Sequence, residues 1–84
     1  MLYGRDVINL MRPHPGRAFP VRYFVRSIVS DIKGLERGNV QRQVRRVLAL
    51  LVEMGMVETT SKGRRDLHAT YTWIERDGNG MRVG

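Results

Sequence analysis

The sequence predicts an α+β fold, with three helices packed together and a β-hairpin following them. Three observations predict it. Apolar residues recur at helical spacing in three separate stretches, and Pro or Gly punctuates the gaps between them. After Gly55 the composition turns to Thr, Val, Tyr, Trp and Ile, interrupted by the basic stretch "SKGRRD". With 84 residues there is room for a modest core and little else. The expected organisation is one domain over residues 1–76 and a glycine-rich tail over 77–84 that has little to bury and is expected to fray. No internal repeat or linker is visible.

Taken in order, "LYGRDVINLM" carries Tyr3, Val7, Leu10 and Met11 on one helical face. Pro13 and Pro15 cannot continue that helix, so it ends near Met11 or Arg12. "RAFP" is short enough to be only an edge strand or an extended connection. A second helix is expected from about Val21 to Ile32, with Phe24, Val25, Ile28, Val29 and Ile32 inward. Gly34 suits a left-handed residue closing it. In the turn that follows, Leu35 is placed to plug the groove between the flanking helices.

Asn39 is a reasonable N-cap for the third helix. Arg42 stands where a capping box would need Glu or Gln, which leaves room for a start two or three residues earlier. Val40, Val44, Val47, Leu48, Leu51 and Met54 then form an apolar stripe, and Gly55 offers the C-cap. Two strands should follow, over Met56 to Thr60 and Leu67 to Glu75. Tyr71 and Trp73 alternate along the second strand, so they share a face, expected to pack on the helices.

Charge is the strongest global signal. Fifteen Lys and Arg against eight Asp and Glu leave a net charge of +7, and thirteen of the fifteen bases are arginine. Such a surplus attracts polyanions, and arginine favours bidentate recognition of phosphate or guanine edges. The longest aliphatic run, Val47 to Val52, is far too short to cross a bilayer, and Arg5, Asp6 and Arg12 interrupt any leader-like segment. The expectation is a soluble cytoplasmic protein with no membrane partner, nucleoid-associated when bound to DNA. With no cysteine there is no thiol chemistry. His14 and His68 have no carboxylate cluster or paired-His spacing around them, and no serine sits in a nucleophile elbow. No catalytic residue, metal site or cofactor is expected.

Helix, short extended piece, helix, tight turn, helix and hairpin, with Val44, Leu48, Leu51, Gly55, Met56 and Val57 at the helix-to-strand junction, resemble the winged helix-turn-helix family of nucleic-acid-binding domains. The resemblance spans roughly residues 3 to 75, although a third helix from Asn39 to Met54 is a little long for the pattern. It implies that the third helix is the recognition helix and that the loop holding Lys62, Arg64 and Arg65 is a wing on the sugar-phosphate backbone or in the minor groove.

Geometry agrees for the helix. At about 100° per residue, Arg42, Arg45, Arg46 and Ala49 share a face opposite Val44, Leu48 and Leu51. Gln41 and Gln43 flank it with Asn39 in the first turn, and Gln and Arg suit adenine and guanine edges. An ordinary solvated face mixes signs, whereas this one has no acid before Glu53. Arg22, Arg26 and Lys33 are candidate phosphate contacts. The expected function is sequence-specific binding of double-stranded DNA by a small transcriptional regulator, such as a repressor. Useful specificity from so small a domain calls for a homodimer on a repeated half-site. The rival readings are an adaptor for an acidic protein partner in a larger assembly and, after it, an RNA-binding winged helix.

Overall fold

Proline and glycine set the joints, and the apolar spacing between them sets the elements. The computed structural model describes residues 2–60 and 68–74. Helix α1 spans Gly4–Met11, strand β1 Ala18–Pro20, helix α2 Val21–Asp31 and helix α3 Arg37–Glu53. Strands β2 and β3 follow at Val57–Thr59 and Thr70–Trp73. Among the described residues this is an α+β arrangement of three helices and one antiparallel three-stranded sheet of order β1-β3-β2.

The core is where the helical stripes converge. Val7 and Met11 of α1, Phe24, Val25 and Ile28 of α2, and Val40, Val44, Val47, Leu48 and Leu51 of α3 are all buried. Phe19 and Val57 close it from the sheet, and Leu35 packs against its margin from the turn, as its isolation in a polar segment predicts. Each of the large side chains contributes on the order of 1.5–3 kcal/mol by leaving water. No polar or charged residue is buried among those described, so the interior carries no desolvated charge to offset that gain.

Helix α3 packs against α1, α2 and β2, which fixes its roll about its own axis. Its end is equally fixed. Gly55 adopts φ +79°, its N–H donates to the Val52 carbonyl at 3.0 Å, and the Met56 N–H donates to the Leu51 carbonyl at 3.0 Å. These two bonds satisfy carbonyls of the last turn and release the chain directly into β2. Gly55 is thus the helix terminator the sequence predicts.

The short "RAFP" segment is an edge strand. Ala18, Phe19 and Pro20 register against Thr72, Tyr71 and Thr70 of β3, and the Gly16 N–H donates to the Trp73 carbonyl at 3.1 Å. On the other side Val57, Glu58 and Thr59 register against Trp73, Thr72 and Tyr71. Alternation therefore sets Phe19, Tyr71, Val57 and Trp73 on the face toward the helices, and Tyr71 and Trp73 pack against the core as expected.

Four expectations need correction. Asn39 is not the N-cap of α3: the helix starts earlier, with Glu36 at the cap, and Asn39 is its third residue. Ile32 does not join the inner face of α2, because the backbone leaves the helix there at φ −122° and ψ 115°, which turns the side chain out to 44% exposure. Gly34, at φ +84°, belongs to the turn after that extended residue rather than closing the helix directly. Met54, read as the last residue of the buried stripe, is 58% exposed at the C-cap, where the chain is already turning away. The strands are also shorter than predicted: Met56, Thr60 and Ile74 flank the ladder, while Leu67 and Glu75 lie outside the described residues. The tail over 77–84 lies outside them too.

Candidate nucleic-acid interface

Because Val40, Val44, Leu48 and Leu51 are held inward, the opposite side of α3 is held outward. Arg42, Arg46 and Ala49 are exposed on it, and Asn39 is exposed in the first turn. No carboxylate pairs with Arg42, Arg45 or Arg46 among the described residues. Arg42 and Arg46 stand one helical turn apart, so each repels the other by a few tenths of a kcal/mol in the free protein. An anion lying along this face relieves that repulsion. Glu53 is exposed and ends the positive run at the C-terminal end of the helix.

Arg45 differs from its neighbours. It is half-buried and lines a concavity of about 210 Å³ between α2 and α3. Arg37 and Gln41 line the same hollow from α3, and Arg22 and Val25 line it from α2. Arg37, Gln41 and Arg45 are spaced four apart, so they climb a single ridge of the helix. Sequence reasoning missed Arg37 because the helix was started at Asn39, which left Arg37 in the turn. The spacing of four was the signal available.

The remaining expected contacts are spread out. Gln43 is half-buried on the far flank of the outward face, beyond Arg46. Arg22 joins the concavity, whereas Arg26, one turn later on α2, and Lys33, in the turn before α3, are exposed outside it. Lys62, Arg64 and Arg65, the expected wing, lie outside the described residues. The strands leading toward that loop are tied at Thr60 and Thr70: the Thr60 N–H donates to the Thr70 carbonyl at 3.1 Å, and the Thr70 N–H donates to the Thr60 hydroxyl at 2.9 Å.

An aromatic cluster beside β1 also escaped the sequence reading. Phe19 stacks on Tyr23 at 4.8 Å between ring centroids and meets Phe24 at 5.7 Å, with the Arg17 guanidinium 5.3 Å from the Phe19 ring centre. The cluster pins the start of α2, and with it Arg22, to the edge of the sheet.

Among the described residues, no three His, Asp or Glu side chains come together as a metal site would require. No helix among them is long and apolar enough to cross a membrane. Comparison with protein families, with curated proteins and with solved structures finds no match for this chain.

Proposed function

We propose that the protein is a winged-helix DNA-binding domain that reads double-stranded DNA with α3, acting as a small transcriptional regulator. The observation that carries this reading is the outward face of α3: Arg42 and Arg46 are exposed and unpaired among the described residues, opposite a fully buried apolar stripe. The element order and the antiparallel strands after α3 are consistent with the winged-helix layout.

The dimensions suit duplex DNA. The major groove is about 12 Å wide and admits one α-helix. Arg42 and Arg46 are about 6 Å apart along the axis, close to the rise of two base-pair steps. Ala49 and Gly38 continue the same face with almost no side chain, so the helix can lie close to the groove floor along its length. A-form RNA presents a deep, narrow major groove that a helix of this kind does not enter. The domain needs no catalytic group or cofactor for this role. A homodimer on a repeated half-site would supply the specificity that one short helix lacks.

Fluorescence anisotropy tests the reading directly. The full chain is titrated against a labelled random duplex, a labelled single-stranded RNA and an acidic polypeptide at one ionic strength. Tightest binding to duplex, weakened by the Arg42→Ala/Arg46→Ala double variant and not by the charge-matched Arg5→Ala/Arg12→Ala double change at α1, supports it. Preference for the polypeptide points to an adaptor, preference for RNA points to a single-strand reader, and either result overturns the proposal.

A further inference from the structure

We infer that the cleft between α2 and α3 is a phosphate seat, in which Arg22, Arg37 and Arg45, assisted by the Gln41 carboxamide, take a single phosphate group. Three arginines from two helices line one concavity of about 210 Å³, and no Asp or Glu lines it among the described residues. Like charges gathered in this way repel until an anion sits among them. The hollow is smaller than the roughly 300–1,000 Å³ of sites that enclose drug-sized ligands, so it suits a tetrahedral anion rather than a whole nucleotide.

The chemistry of the lining favours phosphate over a simpler anion. A guanidinium is a planar fork that matches two oxygens of a tetrahedral anion at once. Phosphate offers enough acceptor oxygens for three such forks, where chloride offers no directed acceptor. Gln41 adds an amide donor on the same ridge, one turn before Arg45 and one turn after Arg37. Val21 and Val25 form an apolar wall that lowers the local dielectric and strengthens each of these bonds. Pro20 gives α2 no side-chain cap, so the first amides of that helix add to the positive potential at the rim.

The seat divides the arginines of α3 by task. Arg42 and Arg46 point outward and are free to meet base edges, whereas half-buried Arg45 is committed with Arg22 and Arg37 to one phosphate. This division rests on the DNA-binding proposal; the seat itself does not, since the phosphate can belong to a nucleic-acid backbone or to a free phosphate ester.

Heteronuclear NMR on the full chain tests it. Inorganic phosphate is added at constant ionic strength with chloride as the balancing anion, and a duplex is added in a separate titration. The expected result is a saturable phosphate shift of the Arg22, Arg37 and Arg45 Nε–H signals and the Gln41 side-chain amide, with Arg42 and Arg46 unmoved. Arg37→Ala should weaken phosphate binding by about tenfold, as loss of one charge-assisted hydrogen-bonded partner implies, and Arg5→Ala should leave it unchanged. If phosphate saturates these residues and the duplex fails to bind, the seat stands as a site for a free phosphate ester and the DNA reading fails. If the duplex shifts Arg42 and Arg46 while neither titrant moves Arg22 or Arg37 saturably, the seat is refuted and the DNA reading survives. Equal shifts at every arginine also refute it.

Discussion

Arg22 on α2 and Arg45 on α3 line the same concavity, although Arg46, the next residue along α3, points to solvent. Two adjacent arginines on one helix therefore have different surroundings, and different consequences follow from removing them. Arg42→Ala or Arg46→Ala should cost about 1–3 kcal/mol on a preferred duplex and relax the choice of base at one position. Arg45→Ala should weaken every duplex alike and reduce the magnitude of the salt slope by about one. Anisotropy titrations on two or more duplex sequences, at several salt concentrations, separate the two outcomes.

Phosphate neutralisation should supply much of the affinity of the unmodified protein. With on the order of five phosphate contacts, log K should fall against log salt with a slope of about −4 to −5. A slope near zero would mean that the positive face meets no polyanion.

Two glycines of α3 and its end make opposite predictions. Gly55 sits at φ +79°, so Gly55→Ala should destabilise the fold by about 1–2 kcal/mol in urea unfolding. Gly38 lies within the helix, and a methyl group there meets nothing within 4 Å. Gly38→Ala should therefore stabilise by about 0.5–1 kcal/mol. If the outward face lies close to a groove floor, the same methyl group should lower duplex affinity while it raises stability.

Leu48 is fully buried at the centre of the core. Leu48→Ala should cost about 2–5 kcal/mol, a large share of the stability of a domain this small, and lower the thermal midpoint correspondingly. Circular dichroism melts measure it. Leu50→Ala, two positions on at a site 39% exposed, should cost far less, because its side chain already meets water.

The helices and the buried stripe of α3 were legible in the sequence because a period near 3.6 has one physical cause, a single face turned from water. Phe24, Val25, Ile28, Val44 and Leu48 all follow it into the core. The pattern misleads only where the backbone stops obeying it. Ile32 and Met54 continue the spacing on paper, but each stands at a C-cap, beyond the last helical residue. Asn39 had the chemistry of a cap without the position, since Glu36 takes that place with no side-chain cap bond. The pairing of β1 with β3 could not be read from three residues whose partner lies fifty positions away in the chain. The concavity was hidden for the same reason. Arg22 and Arg37 become neighbours only when α2 docks on α3, and no local spacing announces that.

Selection of bound duplexes from a random pool measures most directly whether the outward side of α3 reads DNA. The account predicts that the protein enriches a short motif, and that Arg42→Ala changes the preferred base at one or two positions while leaving the rest of the motif intact. A pool that returns no enriched sequence, or an identical motif from the Arg42→Ala/Arg46→Ala double variant, would contradict it.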